Sequence, residues 1–445
     1  MKFVNTLKNI WKIEELKNRI LVTLGLLLVY RFGAQVVLPG IDASQLANLS
    51  TQTDGGLLGL LNAFTGGAFS NASVFALGIM PYISASIVVQ LMGIAVPYLQ
   101  KLQKEGESGR RRINQITRWL TIAITLVQGP GYIYNLFATL PPSAFLLDST
   151  VTFVASSVII LATGTIFAMW LGEKITDKGI GNGISLLIMV GIIATLPQAF
   201  IQEFASRVFE SNGGVIMILI ELVIWFAIIL ASVMLVMAVR QIPVQYARRT
   251  ASGGYEKNVF GSRQYIPLKL NASGVMPIIF AQAIMFIPAA VAGLSESETA
   301  QGVTAAFNDI FGFWYNLVFA LLIIIFTYFY TAITVPTNKM ADDLKRSGGF
   351  IPGIRPGTET AEFLDRIMSQ ITLPGSIFLA LIAVFPAIIV SLLGVQAGWA
   401  LFFGGTSLLI MVGVAIDTMQ QVNSYLLNRH YDGLMKTGKN RKAVA

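Results

Sequence analysis

The sequence contains no cysteine, and its single histidine, His430, lies close to the C-terminus. Without cysteine the chain can form neither a disulfide nor a thiolate metal site. A single histidine near the end of the chain also removes the usual acid–base residue and most zinc-binding schemes. Charged residues are scarce, at 12% of the chain, whereas 54% of residues are hydrophobic and the mean hydropathy is +0.68. This composition excludes an ordinary soluble globular protein.

Long apolar runs recur along the whole chain. Each is predicted to cross a membrane, because about 20 apolar residues span a hydrocarbon core of roughly 30 Å. The ten predicted spans are residues 20–38, 73–96, 116–134, 151–171, 184–196, 215–239, 272–291, 313–335, 371–393 and 399–419. Span 5 is unusually short and follows Gly179-Ile180-Gly181-Asn182-Gly183. We interpret this glycine run as a broken helix start rather than a dinucleotide-binding turn, since no strand precedes it.

Basic residues lie almost entirely on one side of these spans. Ten spans place both termini on the same side, and that side carries the basic clusters within 1–19, 101–118, 240–269, 339–366 and 429–442. The positive-inside rule therefore predicts cytoplasmic termini. Residues 1–19 are predicted to form a basic amphipathic helix on the membrane surface. Residues 421–445 are predicted to form a basic cytoplasmic tail.

Two short patterns recur five spans apart. Span 2 contains Gly78-Ile79-Met80-Pro81-Tyr82-Ile83, and span 7 contains Gly274-Val275-Met276-Pro277-Ile278-Ile279. Span 5 opens with Gly183–Ile188, and span 10 contains the similar run Gly405–Ile410. Because five is odd, paired spans cross the membrane in opposite directions, which indicates an inverted repeat with a pathway between its halves. The predicted halves are residues 20–200 and 201–420, and Pro81 and Pro277 are expected to loosen their helices.

An inverted repeat is typical of ion-coupled transporters, which need polar groups near the midplane. Apart from Arg118, which is counted with the cytoplasmic basic residues, the charged residues within the predicted spans are Arg31, Glu221 and Asp417. These three lie towards helix ends and are interpreted as snorkelling or paired there. The repeat-related positions are aliphatic instead. They either pack within the bundle or converge on an apolar collar that resists ions by dewetting. The candidate collar residues are Ile79, Ile83, Ile184, Ile188, Ile279 and Ile410.

An apolar insert at about 55–70 is bracketed by glycine pairs and is too short to span a bilayer. It is either an interfacial loop or core-packing turn, or a short re-entrant helix that blocks the pathway from one side, with the flanking glycines as hinges. Two polar cytoplasmic loops, residues 240–271 and 336–370, are longer than helix connections need. Their basic residues either reflect topology alone or dock a large partner such as phosphate-rich RNA or an acidic protein.

Several motifs together resemble the SecY/Sec61-alpha family of protein-translocon pore subunits. They are Phe75–Gln90, Gly106–Arg111, Gly179–Ser185, Ile351–Gly357 and Gly404–Ile410, and the resemblance covers essentially the whole chain. It implies an all-α polytopic membrane protein with ten transmembrane helices. These would form two pseudo-symmetric inverted five-helix halves around an hourglass pore, with a short re-entrant plug helix.

The resemblance also implies residue roles. The aliphatic collar becomes the pore ring, and the plug falls on Leu57, Leu58, Leu60, Leu61 and Phe64. A lateral gate between spans 2 and 7 would include Pro81, Ser84, Gln90, Pro277 and Gln282. Docking to the SecA motor or the ribosome would use Arg248, Arg249, Lys345, Arg346 and Arg355.

The function that the resemblance implies is a passive channel in the bacterial inner membrane. It would translocate unfolded secretory polypeptides and release transmembrane segments into the lipid bilayer. SecA ATPase or the translating ribosome would supply the energy, and SecE and SecG would be the membrane partners. Signal peptides and nascent chains would be the substrates. No cofactor, no metal and no enzymatic activity are expected.

Overall fold

The computed structural model describes residues 11, 13–46, 56–146, 149–209, 214–246, 264–292, 307 and 309–441. The helices of the first part of the chain are α1 Glu14–Gly33, α2 Gly56–Thr65, α3 Met80–Ala95, α4 Pro97–Lys104, α5 Glu107–Thr139, α6 Thr150–Lys178, α7 Gly183–Phe209 and α8 Gly214–Met237. Those of the second part are α9 Met276–Ala292, α10 Phe313–Thr334, α11 Thr337–Arg346, α12 Thr358–Leu393, α13 Ala397–Ala400 and α14 Gly405–Arg441. Three strands accompany them: β1 Val239–Tyr246, β2 Gln264–Lys269 and β3 Gly349–Phe350.

Each of the ten predicted spans overlaps one of these helices, namely α1, α3, α5 to α10, α12 and α14. Within the described residues, six helices are long and apolar enough to cross a membrane, or seven if α3 and α4 form one bent span. The chain is therefore a predominantly helical, polytopic membrane protein. The predicted amphipathic helix at 1–19 lies mostly outside the described residues, and Glu14–Arg19 begin α1.

The prediction that span 5 is short is wrong. Helix α7 contains 27 residues and continues through Pro197 to Phe209. The glycine run before it is the connection from α6, which ends at Lys178, and Gly181 there has φ +81°. Its backbone N–H donates to the side chain of Gln421 at 2.8 Å.

The prediction that Pro81 and Pro277 loosen the interior of their helices is also wrong. Helices α3 and α9 begin at Met80 and Met276, so each proline is the second helical residue. A proline in the first turn removes an N–H that has no partner within the helix, and its fixed φ suits a helix start. In both copies the glycine two residues before the first helical residue has positive φ, +52° at Gly78 and +64° at Gly274. The repeated pattern therefore specifies a turn followed by a helix start.

The chain divides into two compact units. The first comprises Met1–Gly214, Gln396–Leu401 and Gly413–Ala445, and the second comprises Val215–Val395 and Phe402–Val412. In the first unit α5 packs on α3 and α6, and α6 packs on α7. In the second unit α10 packs between α9 and α12.

A three-stranded antiparallel sheet in the second unit was not predicted from the sequence. Its strand order is β2-β1-β3, with Ile242 of β1 opposite Ile266 of β2. The sheet joins the two long polar loops, because β1 and β2 come from the first and β3 from the second. An apolar cluster supports it, formed by Ile242, Val244, Leu268, Leu344, Ile351, Leu364 and Met368.

Candidate functional site

The glycine-bracketed insert contains a short helix, whereas its entry into a pathway stays a prediction. Helix α2 spans Gly56–Thr65, and Leu60, Ala63, Phe64 and Thr65 are buried. Leu61 is half-buried and packs against an apolar cluster of the first unit that includes Phe69 and Tyr132. The side chains of Leu57 and Leu58 lie outside the described part of the chain. Helix α2 is therefore an apolar segment packed inside the first unit.

Side-chain and backbone hydrogen bonds close the C-terminal end of α2. Gly66 and Gly67 have φ of +67° and +86°, a conformation that glycine adopts without strain. The Asn62 carbonyl accepts the N–H of Gly67 at 3.0 Å, and its side-chain Oδ1 accepts that of Ser70 at 3.0 Å. The hydroxyl of Thr65 accepts the N–H of Phe69 at 3.2 Å. The chain therefore turns sharply after α2.

The segment after this turn is held by neighbouring helices. The buried Tyr132 hydroxyl of α5 donates to the carbonyl of Phe69 at 2.8 Å. Phe75 stacks on Tyr30 of α1 at 5.6 Å between ring centroids and on Phe167 of α6 at 6.0 Å. These contacts fix the approach to α3, where the first repeat pattern begins.

Two residues from distant parts of the first unit meet the end of α2. Arg31, in the last turn of α1, donates from Nη1 to the carbonyl of Gly66 at 2.8 Å. Gly191 of α7 brings its Cα against the same turn, since a Cβ built there would lie 2.7 Å from the Phe64 carbonyl oxygen. The interpretation of Arg31 as a helix-end residue fits this position, but its partner was not predicted.

The first unit holds four of the six candidate collar isoleucines. Ile79 and Ile188 are buried, whereas Ile83 and Ile184 are half-buried. Ile79 precedes the first residue of α3, and its carbonyl accepts the N–H of Ile83 at 3.0 Å. Ile184 packs against α6 at Gly172, where a built Cβ would lie 2.8 Å from the Ile184 side chain. Ile184 thus has a packing role inside this unit.

The other two collar candidates and part of the predicted gate lie in the second unit. Ile410 is buried in α14, and Ile279 is half-buried in the first turn of α9. Gln282 is buried, and its Oε1 accepts a hydrogen bond of 2.7 Å from the hydroxyl of Thr406. Pro277 is buried at the start of α9.

The remaining gate candidates lie along α3. Pro81 is buried and Ser84 is half-buried. Gln90, also half-buried, donates to the hydroxyl of Ser86 on its own helix at 3.2 Å.

The candidate docking residues differ in what the structure describes. Arg248 and Arg249 lie outside the described residues. Lys345 and Arg346 are exposed in the last turn of α11. The side chain of Arg355 is 87% exposed and lies 3.7 Å from Glu359. The buried Thr360 hydroxyl donates to the Arg355 carbonyl at 2.8 Å, so the backbone is fixed while the guanidinium faces solvent.

A buried ion pair escaped the sequence analysis because span 5 was ended at residue 196. Glu203 and Arg207 of α7 are both buried, with Oε1 and Nε 2.7 Å apart. The second carboxylate oxygen of Glu203 accepts the N–H of Gln396 at 2.9 Å.

The other two charged residues interpreted from the sequence as snorkelling or paired differ in exposure. Glu221 is buried, which is compatible with pairing, and Asp417 is exposed. Over the described residues, no group of three His, Asp or Glu side chains could hold a metal ion.

The comparisons with known proteins agree with this architecture. The SecY family model matches residues 73–419. The chain belongs to the SecY family. The protein translocase subunit SecY of Streptomyces scabiei is 40% identical over 438 residues, covering 96% of this chain and 98% of that protein. SecY of Vibrio cholerae is 40% identical over 431 residues, covering 95% of each chain.

A solved structure also shares the fold with this SecY-family chain. It is described as the SecY plug domain stabilising the closed state of the translocation channel and maintaining a membrane seal. It matches with a TM-score of 0.62 at 18% identity, covering 92% of each chain. At this identity the likeness concerns the fold.

Proposed function

We propose that this chain forms the protein-conducting channel of a bacterial translocon. The observation that carries the proposal is the full-length match to translocase subunits at 40% identity. The channel passes unfolded secretory polypeptides across the membrane and releases transmembrane segments sideways into the lipid. The chain acts as a channel rather than an enzyme, and SecA ATPase or the translating ribosome supplies the energy.

The proposed resting state is sealed by two elements. Helix α2 is the plug, supported by its burial and by the hydrogen bonds that close its C-terminal end. The six collar isoleucines form the pore ring, an apolar constriction that ions cross poorly because water leaves it easily. The repeat supports this assignment, since Ile83 and Ile279 occupy equivalent positions after equivalent helix starts.

The gate and the partners complete the proposal. A signal sequence enters between α3 and α9, with Pro81, Ser84, Gln90, Pro277 and Gln282 as gate residues. SecE and SecG are the membrane partners, and the ribosome or SecA docks on the two polar loops through Arg248, Arg249, Lys345, Arg346 and Arg355. The exposure of Arg355 on a fixed backbone supports this docking surface. Both termini face the cytoplasm of a bacterial inner membrane, as the distribution of basic residues favours.

Reconstitution tests the proposal. The full chain is placed in lipid vesicles with a small single-span partner, SecA and ATP, and a signal-bearing polypeptide is added outside. We expect the polypeptide to become protease-protected, and the same polypeptide without its signal to remain accessible. Absence of protection would contradict the channel function. Thermal stabilisation of the chain by a small solute or ion would favour an ion-coupled transporter instead.

A further inference from the structure

We propose that Arg31 and Gly191 are the residues that position the plug, by holding the turn that follows α2. The inference rests on the proposed role of α2 as the plug. We call the interaction of Arg31, Gly66 and Gly191 the plug contact. All three residues lie in the first unit, although they come from α1, the turn after α2, and α7.

The hydrogen bond from Arg31 is suited to holding a helix end. Its Nη1 donates to the Gly66 carbonyl at 2.8 Å, one residue beyond the last helical residue of α2. A cation is favoured at this end, because the carbonyls of a helix C-terminus carry partial negative charge. Hydrogen bonds from a charged donor are also stronger than neutral ones. Arg31 therefore stabilises α2 in its buried position.

Gly191 allows the backbone of α7 to touch the same turn. A Cβ on Gly191 would lie 2.7 Å from the Phe64 carbonyl oxygen and 3.2 Å from the Gly66 nitrogen. In the other direction, a Cβ on Gly66 would lie 2.7 Å from the Cα of Gly191 and 2.5 Å from Arg31 Nη1. The crowded atoms belong largely to backbone, which cannot move aside as a flexible side chain can. Any larger residue at position 191 therefore pushes the end of α2 away.

The plug contact is also small enough to be broken. It consists of one charge-assisted hydrogen bond, from Arg31 to Gly66, and one close contact between the backbones of Gly66 and Gly191. Neither interaction is part of the regular hydrogen bonding of a helix or a strand. The hydrogen bonds within the turn, from Gly67 to Asn62 and from Phe69 to Thr65, join residues of the same segment. They can persist when α2 leaves its site. Opening therefore needs the contacts to α1 and α7, the hydrogen bond from the Tyr132 hydroxyl of α5 to the Phe69 carbonyl, and the contacts to surrounding apolar side chains to be exchanged.

Thiol labelling in the full chain tests this positioning role. The sequence has no cysteine, so Leu60→Cys introduces a single thiol at a plug position that is 8% exposed. Ala144→Cys, in a separate chain, introduces one at a fully buried position in the loop between α5 and α6. Each is combined with Arg31→Met or Gly191→Ala in membrane vesicles, and the rate of reaction with a water-soluble maleimide is measured.

We expect both variants to raise labelling at position 60 by roughly tenfold, because labelling of a closed site follows the population of its open state. Labelling at position 144 should not change. Gly25→Ala in α1 is the matched control, since nothing lies within 4 Å of a Cβ built there. It should leave both rates unchanged.

Two results would overturn the proposal. One is an unchanged rate at position 60 in both variants, and the other is an equal increase at position 144, which would mean that the whole unit has loosened. The experiment needs no translocation substrate or motor. The labelling result therefore tests the positioning role of Arg31 and Gly191 by itself. The reconstitution tests the proposed channel function separately.

Discussion

Arg207 Nε lies 2.7 Å from Glu203 Oε1 one helical turn earlier in α7, and both side chains are almost fully buried. The other oxygen of Glu203 accepts the N–H of Gln396, which belongs to the connection between α12 and α14. Trp399 of that connection packs edge-on against Phe200 of α7, with ring centroids 5.2 Å apart. The pair therefore anchors this connection to α7 within the first unit.

Glu203→Gln should destabilise the chain. The carboxylate accepts from both a guanidinium and a backbone N–H, and breaking a buried pair costs roughly 3 kcal/mol or more. The measurement is denaturant unfolding of the detergent-solubilised chain. Glu15→Gln is the matched control, because it breaks the similarly spaced pair Arg19–Glu15, whose carboxylate is 63% exposed. The control should cost less than about 0.5 kcal/mol, and equal losses would contradict the anchoring role.

The spans were predictable from sequence because hydropathy sums the same preference over about 20 residues. The end of α7 could not be predicted in this way, because its last three turns contain the polar residues Gln202, Glu203 and Arg207. In the folded chain Glu203 and Arg207 pair with each other, and Glu203 also accepts the N–H of Gln396. A hydropathy average contains no information about such pairing. The helix starts were predictable as a repeat, but the proline was assigned to the helix interior rather than its first turn.

The sheet and the plug contact lay beyond sequence reasoning for different reasons. Strands β1 and β2 contain Pro243 and Pro267, and a proline normally argues against a strand in the middle of a sheet. β1 is nevertheless the central strand. In the plug contact, Arg31 and Gly191 both touch the turn at Gly66, which lies 35 residues after Arg31 and far from Gly191 in sequence. No periodicity or motif links residues at such separations.

Leu364→Ala should loosen the sheet that joins the two polar loops. Leu364 is 1% exposed in α12 and belongs to the apolar cluster beneath β1 and β2. Truncating a buried leucine costs about 2–5 kcal/mol, so we expect faster hydrogen exchange of the β1 amides. Leu373→Ala, on the same helix with a 51% exposed side chain, should leave that exchange unchanged. Unaltered β1 exchange in the Leu364 variant would contradict the supporting role of the cluster.

Ile83→Asp and Ile279→Asp should each make the resting channel leak ions. A carboxylate in an apolar constriction retains water, and we expect conductance of reconstituted vesicles to rise on the order of tenfold because dewetting no longer closes the path. Ile83→Leu keeps the apolar volume and should not raise conductance. An unchanged conductance in both Asp variants would remove these positions from the pore ring.

Arg355→Glu should abolish SecA-driven transport while leaving SecA-independent membrane insertion partly intact. The side chain is exposed, and its 3.7 Å contact with Glu359 contributes little stability, so the fold should survive the change. A loss of roughly tenfold or more is expected for a central docking residue. Arg366→Glu makes the same charge change at an exposed position on α12 and should have a much smaller effect.

Protease protection of a secretory substrate measures transport, and integration of a single-span protein measures insertion. If both activities fell equally, Arg355 would be acting on the channel itself, and the assignment to motor coupling would be wrong.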